Sequence, residues 1–168
     1  NHAQAGLSPK QVFETVNNQL CENNEAGMFV TAFMGILDIP TGHFVYVNAG
    51  HNAPLVSLGG APYDWLPVKH GFVLAGMEGI RYTQQELRFT PGDSLYLYTD
   101  GVTEALNPVS ELYSDPRLLA LFRSERLAGK PIDEQLHLVR QDIVSFADGA
   151  EQADDITMVM LRINKKEG

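Results

Sequence analysis

The chain has 168 residues, 44% of them hydrophobic and 20% charged, which suits one globular domain with a real core and excludes a disordered or fibrous protein. Twelve basic residues against 21 acidic ones give a net charge of -9, which repels a phosphate backbone, argues against nucleic-acid binding and suits bound cations. The single cysteine, Cys21, excludes an internal disulfide and a cysteine-based zinc site and fits a reducing, cytoplasmic setting, and no apolar run reaches the ~20 residues that span a bilayer.

The sequence opens at Asn1-His2-Ala3 without a methionine or a leader pattern, so the natural protein is expected to continue upstream, where a tether or sensor has room. A helix is predicted from Ser8-Pro9: Ser8 can cap, Pro9 suits the first helical position, and Gln11 completes a capping box. Val12, Phe13, Val16 and Leu20 then share one face at helical spacing. Met28 to Asp38 is an almost unbroken apolar run that predicts a strand covered on both faces.

Pro40-Thr41-Gly42 supplies a turn into a strand at His43 to Asn48, an antiparallel hairpin. Further strands are predicted at Leu55 to Leu58, Arg81 to Phe89 and Ser94 to Thr99, with Pro91-Gly92-Asp93 as the tight turn before the last of these. Helices are predicted from Asp115-Pro116 towards a stop at Gly129, and from about Asp133 to near Gly149, the second with Leu136, Val139, Ile143 and Phe146 on one face. A strand at Ile156 to Ile163 closes a chain that reads as one α+β domain over residues 1–168.

Three stretches concentrate chemistry. Leu95 to Gly101 is an apolar strand ending on Asp100, with Gly101 free to bring the backbone close to a neighbouring group. Taken alone, an Asp-Gly pair is more often a turn with a solvated side chain. Asp154 and Asp155 stand together before the last strand, where a cation would offset their repulsion, although two solvated loop acids would look the same. Two acidic strand mouths without cysteine or paired histidines point to oxygen ligation of a hard ion, Mg²⁺ or Mn²⁺. A pair of such ions can activate a water for attack on a phosphoryl group, so phosphoester hydrolysis is the natural chemistry.

The third stretch, Tyr46 to Leu55, places Asn48, Gly50, His51 and Asn52 where a strand turns. His51 could serve as a general acid for a leaving alcohol, but the better reading has Asn48, His51 and Asn52 hydrogen-bonding the turn backbone. His2, His43, His70 and His137 lack a local ligand partner and read as ordinary surface or core residues. Tyr63, Trp65, Tyr96 and Tyr98 read as core and sheet packing rather than a binding platform.

In this order, Met28 to Phe33, Tyr46 to Leu55, Leu97 to Ala105 and Asp154 to Thr157 resemble the motifs of the SpoIIE-like branch of the PPM family of metal-dependent phosphatases. The resemblance implies a two-layer antiparallel β-sandwich flanked by helices with a dinuclear Mn²⁺ or Mg²⁺ site at one end. It implies phosphoserine or phosphothreonine on a bacterial regulatory partner, such as an anti-anti-sigma-type protein, as the substrate. Asp100 resembles the metal-binding Asp of the family's Asp-Gly motif and Asp154 the ligand opening its Asp-x-x-Thr pattern, with Asp155 as an alternative ligand. Gly101, Thr103 and Thr157 would support the site's shape.

The family also carries, before the helix at Ser8, a Gly-Asp motif and an Asp-x-Ser-Gly-type motif, which residues 1–7 lack. The chain is therefore expected to be the C-terminal portion of the domain, with weakened metal binding, weak or absent activity of its own, and open sheet edges that invite a homodimer. Two alternatives stand beside the phosphoprotein phosphatase: a non-catalytic partner-binding module of the same fold, and a hydrolase of small phosphoesters.

Overall fold

In chain order the elements are α1 (Pro9–Cys21), β1 (Ala32–Asp38), β2 (His43–Ala49), β3 (Leu55–Ser57), β4 (Asp64–Trp65), β5 (Gln85–Arg88), β6 (Ser94–Tyr98), α2 (Asp115–Phe122), α3 (Ile132–Ala147) and β7 (Met158–Arg162). They come from a computed structural model that describes residues 6–22, 24–69, 71–152 and 154–164; His2 and His70 lie outside the described residues. Both sheets are antiparallel and the helices do not alternate with the strands, so the fold class is α+β, as the sequence predicts. The elements divide between two compact units, residues 1–53 with 67–89 and residues 54–66 with 90–168.

The first unit is built on α1 and a sheet of order β1-β2-β5. Helix α1 starts as its sequence dictates, with Ser8 and Gln11 exchanging both bonds of a capping box and Pro9 in the first turn. Its inward residues Val12 and Phe13 join Val47, Ala49, Leu74 and Tyr82 in one core cluster, with Phe13 edge-on to Tyr82. Asn17, fully buried, binds the backbone at Met77 and Ala75, and that holds the 71–80 segment against the helix. Leu20, expected on the same face, is 43% exposed, because the fourth turn of α1 has run past the sheet-facing core.

The hairpin register runs from Asp38↔His43 to Ala32↔Ala49, so the Pro40-Thr41-Gly42 turn falls where the sequence predicts. Strand β1 does not. It begins at Ala32 rather than Met28, and Met28, Phe29, Val30 and Ile36 are exposed, so the expected burial on both faces is wrong. The reason is topological: β1 is the edge of its sheet and pairs only with β2, while α1, the single helix of this unit, lies mainly over β2. Strand β5 is likewise only four residues long, since Arg81 and Tyr82 leave the ladder to bond Glu14 on α1. Half-buried His43 faces Glu86 across the sheet at 3.0 Å, a partner that sequence spacing could not show.

The second unit carries a sheet of order β4-β3-β6-β7 with α2 and α3. Its core collects Leu55, Tyr96, Tyr98, Val102, Tyr113, Leu118, Phe122, Val139 and Ile143, with Tyr63 and Trp65 packed partly buried against them, which bears out the aromatic residues as core. Truncating fully buried Leu118 to Ala would cost about 2–5 kcal/mol. Helix α2 stops at Phe122 instead of Gly129; the Arg123 amide still bonds Leu119, but Ser124 turns its hydroxyl onto the carbonyl of Leu121 and the chain breaks into turns. At the tight turn before β6, Asp93 is buried with its carboxylate accepting from the Gly59 and Thr90 amides and the Thr90 hydroxyl. No helix among the described residues is long and apolar enough to cross a membrane.

Candidate functional site

The acidic mouth of the second unit follows from one register. Strands β6 and β7 pair from Ser94↔Arg162 to Tyr98↔Met158, so the residues leaving β6 and those entering β7 must run side by side. Thr99 fastens them. Its amide donates to the carbonyl of Thr157 at 3.0 Å, its hydroxyl donates to the carbonyl of Asp155 at 2.8 Å, and the Thr157 amide donates to that hydroxyl at 3.0 Å. Sequence reasoning passed over Thr99; its only signal was its place between the last apolar strand residue and Asp100.

Gly101 completes the junction. A Cβ there would stand 2.5 Å from the Asp155 carbonyl oxygen and 3.1 Å from that of Asp154, so only glycine lets the two backbones meet. The turn beyond it is tight: the Val102 amide bonds the Thr99 carbonyl, and the Glu104 amide bonds that of Asp100 at 2.8 Å. Thr103, buried, closes it with a hydroxyl donated to the Asp100 carbonyl at 3.4 Å. Asp100, Gly101, Thr103, Asp154, Asp155 and Thr157 are therefore brought together at one strand mouth.

Two of the three carboxylates are each held by one amide, and none is consumed. Asp100 accepts from the Gly101 amide through Oδ1 at 3.0 Å, and Asp154 accepts from the Asp155 amide through Oδ1 at 2.7 Å. Among the described residues no Lys, Arg or His pairs with Asp100, Asp154 or Asp155. Asp100 is half-buried, whereas Asp154 and Asp155 are exposed. The donor set is all oxygen, which fits a hard divalent ion. No group of three His, Cys, Asp or Glu side chains among the described residues is placed to hold a metal ion by itself.

A hollow of about 170 Å³ has apolar walls from Ala105, Leu106, Ile143, Val144, Ala147 and Ile156, the last of these next in sequence to Asp155. Gln152 stands at its edge and donates to the Asp154 carbonyl at 2.7 Å.

The other predicted site residues belong to the first unit. Asn48 is 2% exposed and spends its amide on one turn, donating to the His51 carbonyl and accepting from the His51 amide, both at 2.8 Å. Gly50 takes the left-handed backbone of that turn at φ 73°. The His51 ring meets the Thr31 hydroxyl at 3.2 Å. Asn52 makes no side-chain hydrogen bond among the described residues, so of the three residues expected to hold the turn backbone Asn48 does so with its side chain, while His51 supplies the backbone groups that Asn48 binds.

A family model described as Stage II sporulation protein E (SpoIIE) matches residues 1–164. Protein IcfG of Synechocystis sp. is 33% identical over 143 residues, covering 85% of this chain and 22% of IcfG. Phosphoserine phosphatase RsbU of Bacillus subtilis is 27% identical over 161 residues, covering 95% of this chain and 46% of RsbU. The chain thus spans less than half the length of either relative. The SiaA-PP2C domain of Pseudomonas aeruginosa superposes with a TM-score of 0.81 at 18% identity, over 97% of this chain and 65% of that one, a likeness that gives the fold as that of the PP2C domains.

Proposed function

The chain belongs to the SpoIIE-like branch of the PPM phosphatase family, and from that premise we propose that it is the C-terminal part of a metal-dependent protein serine/threonine phosphatase domain, residues 1–168 forming one partial domain. The observation that supports this most is the junction of Thr99 and Gly101 with Asp155, which draws Asp100 and Asp154 to a single strand mouth while leaving their carboxylates unpaired. In this reading Asp100 and Asp154 hold Mn²⁺ or Mg²⁺, with Asp155 as a further ligand and Gly101, Thr103 and Thr157 fixing the mouth's shape. When bound, such ions neutralise phosphoryl oxygens and lower the pKa of a water.

This chain's residues contribute preorganisation. The Gly101 amide and the Asp155 amide each fix one carboxylate oxygen, so the remaining oxygens face a ligand without a large entropic cost. The apolar hollow lined by Ile156 favours a substrate with an apolar flank, hence a phosphoprotein segment over a sugar phosphate. The similarity to RsbU, a phosphoserine phosphatase, supports phosphoserine as the group acted on, carried in this reading by a regulatory protein. Among the described residues no three ligating side chains group closely enough to hold a metal ion, and that favours a second reading, a partner-binding module without catalysis.

One experiment separates them: Mn²⁺-dependent hydrolysis of a phosphoserine peptide by the chain joined to its upstream segment, with and without Asp100→Asn. A loss on the order of 100-fold in the variant is expected, since metal stabilisation of the transition state is several kcal/mol. Equal rates would remove Asp100 from the site, and no turnover in either protein would favour the partner-binding module.

A further inference from the structure

At the other end of β6 from Asp100, the second unit opens a cleft of about 530 Å³. Ser94 begins β6 and lines the cleft, and Asp100 lies six residues further on, so the two places are roughly 20 Å apart at about 3.3 Å per extended residue. The cleft is not part of the acidic mouth.

Its chemistry is the reverse of that mouth. In a chain of net charge -9, the charged residues lining the cleft are two arginines, Arg123 and Arg162, and no acid. Arg123 is committed, its Nε donating to the Tyr63 carbonyl and its Nη2 pairing with Asp64 at 3.3 Å. Arg162 is not. It is half-buried, uses Nε on the Ser94 hydroxyl at 3.2 Å and Nη1 on the Lys130 carbonyl at 3.1 Å, and has no carboxylate partner among the described residues. Three of its five N–H groups remain for a ligand.

Two further polar groups of the lining are unsatisfied. Gln135 is 2% exposed and donates Nε2 to the Lys130 carbonyl, but its Oε1 has no hydrogen-bond partner among the described residues. The buried hydroxyl of Tyr63 has none either. Buried acceptors and hydroxyls are almost always partnered in folded proteins. A ligand that offered an anionic group to Arg162 and hydroxyl or amino donors to Gln135 Oε1 and Tyr63 Oη would satisfy all three groups.

We propose that this cleft binds a small organic anion, a phosphorylated or carboxylated polyol-like metabolite, at a site separate from the acidic mouth. Arg162 binds the anionic group and Gln135 selects for a donor beside it. The site sits where Ser94 and Arg162 pair, on the two strands whose other ends carry Asp100 and Asp154, so occupancy would stiffen the strand pair that frames the mouth.

The test is a backbone-amide NMR titration of the chain in chelator, which keeps phosphate from a metal at the acidic mouth. The probes are inorganic phosphate, glycerol 3-phosphate and glycerol. Shifts are expected at residues 57–63, 92–94 and 123–135, with a millimolar constant for phosphate, tighter binding of glycerol 3-phosphate, and none of glycerol. Arg162→Gln should weaken both anions by about tenfold or more, the loss of a charge-assisted contact. If that variant does not fold, the order of the three probes on the unaltered chain decides alone. Glycerol binding as well as its phosphate, shifts confined to residues 99–103 and 154–157, or an indifferent Arg162→Gln would each overturn the proposal.

Discussion

The turn at Asn48–Asn52 and the mouth at Asp100–Asp154 are both polar loops at strand ends, and they are built in opposite ways. In the first, Asn48 is buried and both ends of its amide close on the backbone of His51. In the second, the backbone is closed by Thr99 and by the contact at Gly101, while the acids lend one oxygen to an amide or none. A polar side chain that is buried and satisfied maintains shape; one held at a rigid backbone with its charge unpaired is available to a ligand.

The sharpest way to break that contrast is at Asn48. Asn48→Ala strands a buried amide and carbonyl, and is expected to cost about 2–4 kcal/mol, seen as a lower urea midpoint at unchanged slope. Turnover per folded molecule should stay within about tenfold, because the residue shapes a turn and does not touch the reacting atoms. A large loss of turnover at full stability would move Asn48 into the machinery.

Gly101→Ala comes next. The added methyl meets the Asp155 carbonyl, and overpacking of this kind costs about 1–3 kcal/mol. Metal affinity should fall with stability, since the methyl pushes apart the two segments that carry the acids; calorimetry with Mn²⁺ beside thermal melting checks both.

A smaller effect distinguishes two core tyrosines of the second unit. Tyr113 donates its hydroxyl to Asp142 at 2.8 Å, so Tyr113→Phe should cost about 1 kcal/mol. The Tyr96 hydroxyl is buried without a partner, so Tyr96→Phe should be neutral or stabilising. Burial, and for Tyr113 also the Asp142 carboxylate, hold both phenols well above the ordinary pKa of 10.0. The folded chain thus keeps protons that the unfolded chain releases. Stability is full below about pH 10 and falls above it, by up to about 1.4 kcal/mol per pH unit for each such tyrosine. Tyr96→Phe should flatten that alkaline slope in pH-dependent melts.

Much of this was legible in the sequence because the signals were local. Ser8, Pro9 and Gln11 start α1, the 40–42 turn fixes the first hairpin, and apolar β6, ending two residues before Asp100, locates the acidic mouth. What escaped depended on neighbours. The apolar run from Met28 looks buried on both sides, yet residues 28–30 precede the edge strand β1 and are exposed. The end of α2 turns on Ser124 bonding Leu121, and two-residue β4 has no periodicity to read. Thr99 and Arg162 take their importance from partners 56 and 68 residues away, beyond any sequence window.

The central claim is that Asp100 and Asp154 serve one ion. Titrating Mn²⁺ into the chain joined to its upstream segment, followed by electron paramagnetic resonance, tests it directly. Asp100→Asn and Asp154→Asn should each weaken the same bound ion by about tenfold or more, with the double variant no worse than the product of the two, while exposed Asp133→Asn on α3 leaves it unchanged. Full-strength Mn²⁺ binding in either single variant would contradict it.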